Sequence, residues 1–261
     1  MFEIINEKRG RSAAESVKVL TLVGGTQKDG SPEPIGKLQV LAGECLAVVG
    51  PTGSGKSQLL SDIEQLAFGD TVSGRQVRLD GNTAEDFLHT GGIVAQLSQK
   101  TGFIMDGTVH DFLALHAESR GKNGKDLIET VLSITNTLCG EPVFPESRLQ
   151  LLSGGQSRAL MIADIACISD APVVLIDEIE NAGIDKHNAL DVLVKSHKPV
   201  IMSTHDPVLI LMADKRVVMK NGGMENVIQS SDDAPGCLSE LRAMDAQLTA
   251  ARERLRRGKT L

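Results

Sequence analysis

The octapeptide Gly50-Pro51-Thr52-Gly53-Ser54-Gly55-Lys56-Ser57 constrains this chain more than any other stretch. Its glycines let the backbone turn through conformations closed to residues with a Cβ. Cys45-Leu46-Ala47-Val48-Val49 before it is an unbroken apolar run, as in a strand buried on both faces of a parallel sheet. After it, Leu59, Leu60, Ile63, Leu66 and Ala67 recur at three- and four-residue steps, the pattern of a helix with one apolar face. Strand, glycine loop and helix start is the setting in which G-x-x-x-x-G-K-[ST] holds phosphate. N–H groups of such a loop point inward at an anion, and the helix adds its positive dipole end. Lys56 then offers a charge to the β- and γ-phosphates, and the Ser57 hydroxyl suits Mg²⁺. Gly50 to Gln58 is therefore the expected nucleotide-binding stretch.

The 261 residues can bury one large core, or one core with a smaller lobe. A net charge of −7 removes the general basic footprint of a nucleic-acid binder, and the lack of Tyr and Trp weakens any base-stacking platform. No direct nucleic-acid contact is expected. No apolar run approaches the roughly 20 residues that span a bilayer, and Met1 to Gly10 is mixed and charged rather than signal-like. A cytoplasmic place is expected, with a peripheral position on the inner membrane face left open. Cys45, Cys139, Cys167 and Cys237 lie far apart without C-x-x-C pairing, so they read as reduced thiols rather than metal ligands or disulfides.

Val17 to Val23 and Ile35 to Leu41 are β-rich runs separated by turn residues, Gly24-Gly25 and Asp29-Gly30-Ser31-Pro32. With the short run around Val77 and Leu79 they predict an antiparallel β-layer. Ile93 to Gln99 reads as a strand ending in polar amides. Thr108 can cap a helix carrying Val109, Phe112, Leu113 and Leu115; Asp126 can cap a second, ending near Gly140. Two helices with no strand between them suggest a small helical lobe. A helix then follows Leu152-Ser153-Gly154-Gly155-Gln156, and Val173 to Asp177 is an apolar strand ending in Asp177-Glu178. Pro199 to Ser203 is another strand, running into Thr204-His205-Asp206. A hairpin around Asn221-Gly222-Gly223 closes the pattern.

These stretches together resemble the ATP-binding cassette (ABC) ATPase family. The phosphate loop at Gly50 to Ser57, the signature Leu152 to Gln156, the acidic strand end Asp177-Glu178 and a switch histidine at His205 occur in family order. The match covers roughly Val17 to Gln229. It implies an α/β fold: a P-loop NTPase core of the ABC type with an antiparallel β-layer and an inserted α-helical lobe. The expected division is an ATPase domain over 1–232, with the lobe at about 104–150 inserted, and a helical tail over 233–261.

Each implied role has its chemistry. Asp177 can hold Mg²⁺ from the end of a buried strand, beside Ser57. Glu178 is the expected general base toward the attacking water. By the resemblance, His205 contacts the γ-phosphate and orients Glu178 and the water, and with Lys56 these form the catalytic set. Ser153, Gly154, Gly155 and Gln156 are a second anion cradle at a helix start. The family uses it across a head-to-tail pair, so that the signature of one subunit closes over the γ-phosphate held by Lys56 of the other. The implied cofactors are ATP and Mg²⁺, and the implied partner is a second copy or a paralogous ABC subunit. The family's glutamine that reaches Mg²⁺ falls best on Gln99, with Gln96 as the alternative.

The chain also departs from the family. No aromatic stands near Val23 to Gln27, where adenine is usually stacked, so preference for ATP over GTP is inherited from the resemblance alone. The segment Ile179 to Asp185 runs about one residue longer than the usual family loop, although Asn181 to Asp185 should still lie at the subunit interface. Those departures place first a soluble mechanochemical ATPase acting on a protein or cofactor-assembly partner. The alternative is the energising subunit of a membrane transporter whose permease is a separate chain. In the tail, Leu241, Met244, Leu248, Ala251 and Leu255 form a short coiled-coil-like stripe. Packing on its own domain, contact with a partner and contact with an anionic membrane surface are its three readings.

Overall fold

The structure is a computed structural model that describes residues 17–83, 92–98, 102–122, 124–179 and 183–260. Runs apolar at every position become strands covered on both faces. β3 (Cys45–Val49), β6 (Val173–Asp177) and β7 (Val200–Ser203) are buried almost throughout. With β5 (Val94–Leu97), β8 (Lys215–Lys220) and β9 (Gly223–Gln229) they form a six-stranded sheet of order β5-β6-β7-β3-β8-β9. All neighbours are parallel except β8 and β9, the predicted closing hairpin. Parallel neighbours require crossovers, and the intervening helices supply them.

Alternation reads differently. β2 (Lys37–Leu41) alternates exposed and buried residues, and so has one wet face. It pairs antiparallel with β1 (Val19–Val23), which pairs antiparallel with β4 (Gln76–Leu79), giving the expected β-layer of order β2-β1-β4. The pleat of the large sheet divides the core. Val173 and Leu175 face the β-layer and α1 (Lys56–Glu64), whereas Val174 and Ile176 face the helices on the other side.

The two helices of the lobe are α2 (Val109–Ser119) and α3 (Lys125–Leu138). Thr108 caps α2 in a reciprocal box with Asp111. The cap predicted for α3 is corrected: its N-cap is Gly124, and Asp126 sits in the first turn, where a carboxylate complements the helix dipole without capping it. α4 (Gly154–Cys167), α5 (Lys186–Val194) and α6 (Pro207–Met212) complete the core, and α7 (Cys237–Arg256) is the tail helix.

One buried ionic cluster ties the β-layer to α1. Arg75 is 1% exposed and donates to Asp62 Oδ2 at 2.8 Å and to the Gly222 carbonyl at 2.5 Å. Its Nε also lies 2.7 Å from Glu33 Oε1, an ion-pair contact without hydrogen-bond alignment. All four cysteines are free thiols; burial, then the nearby Asp164 charge, pushes the Cys167 thiol up to about 11. Among the described residues, no helix is long and apolar enough to cross a membrane.

Candidate functional site

Strand register brings the predicted residues to one edge. Ser203 of β7 is the Cα partner of Asp177 on one side and of Val48 on the other. One residue past Val48, β3 ends at Val49 and the chain enters the phosphate loop. Asp177, Glu178, His205 and Gly50 therefore all leave the carboxyl ends of neighbouring strands, where open α/β sheets bind ligands.

The loop's glycines are required by contact as well as conformation. A Cβ on Gly50 would meet the Met219 carbonyl oxygen at 2.6 Å, and one on Gly55 would meet Gly222 Cα at 2.8 Å. Both residues have positive φ. Gly53, with φ +78, has nothing within 4 Å of its Cβ position, so the loop is open on that side. Lys56 Nζ donates to the Gly50 carbonyl at 2.6 Å, and Lys28 Nζ donates to the Gly53 carbonyl at 2.7 Å. α1 begins without a capping side chain and without an acid in its first turn. Its dipole end and early N–H groups are thus not neutralised from within the helix. Ser54 Oγ is buried without a hydrogen-bond partner. Two ammonium groups, an uncapped helix start and an orphaned hydroxyl fit a polyanion such as a triphosphate. Gln58 is different: its side-chain amide turns along the helix to Asp62 Oδ1 at 2.8 Å, so only its backbone belongs to the helix start.

Asp177 and Glu178 are both half-buried. Glu178 adopts left-handed backbone, φ +52, and its N–H donates to the Ser203 carbonyl at 3.0 Å. A non-glycine residue held there costs about 1–3 kcal/mol and persists only where its surroundings over-determine it. His205 is exposed just past β7, between buried Thr204 and half-buried Asp206.

Ser153 caps α4. Its Oγ accepts from the Gln156 N–H at 3.2 Å, and its own N–H donates to Gln156 Oε1 at 2.9 Å. Gln156 Nε2 also reaches the Pro142 carbonyl at 3.3 Å, which holds the signature against the exit of the lobe. Ser153 and Gly154 are exposed, and a Cβ on Gly154 would meet nothing within 4 Å. Among the described bonds, none joins this cradle to the chain's own phosphate loop.

A family model described as ABC transporter matches residues 36–181. An uncharacterized ABC transporter ATP-binding protein of Methanocaldococcus jannaschii is 46% identical over 248 residues, covering 94% of this chain and 95% of that protein. The chain belongs to the ABC family. It is a nucleotide-binding ATPase subunit, of a family whose subunits pair with a second copy or with partner chains. Solved ABC subunits share its fold. An ATP-binding subunit of an ABC transporter aligns with TM-score 0.62 at 19% identity, over 82% of this chain and 91% of that one. The cbiO1 protein of Clostridium perfringens, part of the ABC transporter complex cbiONQ, aligns with TM-score 0.60 at 20% identity, over 92% of this chain and 96% of that one.

The remaining ABC positions are partly placed. Gln99 and Asn181 lie outside the described residues. Gln96, the alternative, is exposed in mid-β5, where it pairs with Leu175 rather than standing at the strand end. Gly183 lies beside the signature, its Cβ position 3.9 Å from Gly155 Cα. The Asp185 N–H donates to the Leu138 carbonyl at 2.8 Å, joining that loop to the helical lobe. Lys28, which donates to the phosphate loop, stands in a turn beside Asp29-Gly30 with no sequence motif to single it out. The order of the two functional readings is corrected: the described relatives favour the transporter alternative over the soluble mechanochemical one. The absent aromatic and the longer loop concern base contact and the interface, and neither bears on which partner is served.

Proposed function

We propose that this ABC ATPase is the energising subunit of a membrane transporter, binding MgATP and working as a head-to-tail pair. The observation that carries the pairing is the separation of two anion cradles. The phosphate loop stands at the carboxyl end of the sheet with Lys56 and Lys28, whereas Ser153 and Gly154 are exposed, with Gly155 half-buried, at another helix start. One triphosphate does not need both cradles from one chain, and a second copy can present the other. The transporter role is supported by the 46% identical relative, described as an ABC transporter ATP-binding protein over nearly its whole length.

In this reading Gly50 to Ser57 and the start of α1 hold the phosphates, with Gln58 contributing backbone only. Ser57 and Asp177 hold Mg²⁺, and Gln99 is the proposed third contact. Bound Mg²⁺ would neutralise charge developing on the β- and γ-phosphate oxygens. Glu178 accepts the proton of the attacking water, and His205 holds the water and γ-phosphate in line. Ser153 and Gly155 of the partner copy close the site. The ATPase domain extends over 1–232 with the lobe inserted, and 233–261 is the C-terminal helical tail.

Affinity purification from native membranes solubilised in detergent tests the transporter role. Multi-span membrane proteins should accompany the chain. Recovery with soluble proteins alone would contradict it.

A further inference from the structure

The first turn of α5 contains a charge that does not suit it. Lys186 is the first residue of a helix, where the dipole disfavours an ammonium group. It sits there between two carboxylates. Lys186 Nζ lies 2.5 Å from Asp206 Oδ2 and 3.0 Å from Asp245 Oδ2, and all three side chains are at most 20% exposed. Asp206 directly follows His205. Its Oδ1 is committed to the N–H groups of Val208 and Leu209 at the start of α6, and its own N–H donates to Thr204 Oγ1. Its Oδ2 is the oxygen held by Lys186. Asp245 comes from α7, the tail helix.

We propose that Lys186 is a positioning residue for the switch histidine, and that Asp245 makes the tail helix part of the same device. Lys186 acts through Asp206. By clamping one oxygen while α6 takes the other, it fixes the main chain on both sides of His205. It also follows directly on the loop from Gly183 to Asp185, which passes beside the signature, a Cβ added at Gly183 falling 3.9 Å from Gly155 Cα, and which bonds the lobe through the Asp185 N–H and the Leu138 carbonyl. A shift of that loop on pairing therefore reaches the switch through one side chain. Without Lys186, two carboxylates that now share one cation would repel each other. The inference rests on the nucleotide-hydrolysis reading given above.

The test compares MgATP turnover and nucleotide affinity in full-length Lys186→Met, Lys186→Arg and Asp245→Asn. Lys186→Met should lower kcat at least about tenfold while the nucleotide Kd stays within about twofold, since the phosphate loop is untouched. Lys186→Arg should restore at least about a third of the turnover, because a guanidinium can serve two carboxylates. Asp245→Asn, which leaves the Lys186–Asp206 pair intact, should lower kcat about threefold and keeps the test alive if Lys186→Met does not fold. Unchanged kcat in Asp245→Asn and Lys186→Met, or equal losses of kcat and affinity, would overturn the proposal. An unaltered chain that binds no nucleotide would overturn the reading beneath it instead.

Discussion

The Glu178 amide donates a 3.0 Å hydrogen bond to the Ser203 carbonyl across neighbouring strands, from left-handed backbone at φ +52. That bond ends the β6 ladder with Glu178 turned out of the strand path beside the segment carrying His205. Leu66, Asp80, His197 and Asn221 share the left-handed backbone, so what singles out Glu178 is its place at a strand end beside the phosphate loop.

Glu178→Gln keeps the size of the side chain and removes the proposed base. Phosphate release should fall by about 10²–10⁴-fold, the usual contribution of a positioned base. Equilibrium titration should find nucleotide affinity within about threefold of the unaltered chain. A proportional loss of binding would mean that Glu178 holds substrate rather than activating water.

Gly55→Ala should damage the loop through contact with the β8–β9 turn. The new Cβ would lie 2.8 Å from Gly222 Cα, backbone against backbone, at a φ of +108. A stability loss of about 1–3 kcal/mol in urea unfolding is expected, together with loss of nucleotide binding. Gly154→Ala is the contrast, since its Cβ would meet nothing within 4 Å. It should retain stability and nucleotide binding but lose turnover, because in the proposed pair it faces the partner copy.

Arg75→Met should be among the most destabilising single changes. It leaves Glu33 and Asp62 as buried carboxylates without their shared cation. Breaking a buried pair costs about 3–5 kcal/mol, enough to lower the thermal midpoint by many degrees. Converting Arg75, Glu33 and Asp62 together to apolar residues should recover much of that loss.

Acid should unlock the switch. Burial alone would raise the Asp206 pKa, but the Lys186 hydrogen bond and the Leu209 N–H outweigh it, and the group is held below its ordinary 3.8. A lowered carboxylate contributes stability present above its unfolded pKa and lost as pH falls through the folded one. Lys186 shifts the other way: burial would lower it, but its bonds to Asp206 and Asp245 hold it above 10.5. Its contribution is complete below 10.5 and is lost only as pH rises through the raised value. Urea midpoints measured from about pH 5 down to about pH 2.5 should fall less steeply in Asp206→Asn than in the unaltered chain.

Much of this site was legible because its residues are adjacent in sequence to strand ends. Apolar runs placed β3, β6 and β7, and the end of each run is where Gly50, Asp177-Glu178 and His205 emerge. The cap at Thr108 was likewise a local pattern, whereas the reciprocal box of Ser153 with Gln156 was not read from the sequence. What escaped was long-range. Lys186 meets Asp206 and Asp245 across 20 and 59 positions, and Arg75 meets Asp62 across 13 and Gly222 across 147. No periodicity encodes such meetings. Asp206-Pro207 did carry a local helix-start signal that the sequence reading passed over. The backbone of Glu178 had no such signal, because nothing in Asp177-Glu178 demands positive φ.

The most direct measurement is the solution mass of Glu178→Gln by light scattering, with and without saturating MgATP. Two copies that each complete the other's site should give twice the mass of one chain with nucleotide and one chain mass without it. Adding Ser153→Arg to the same variant should return it to one chain mass. A single-chain mass for Glu178→Gln in saturating MgATP, with nucleotide demonstrably bound, would contradict the shared site.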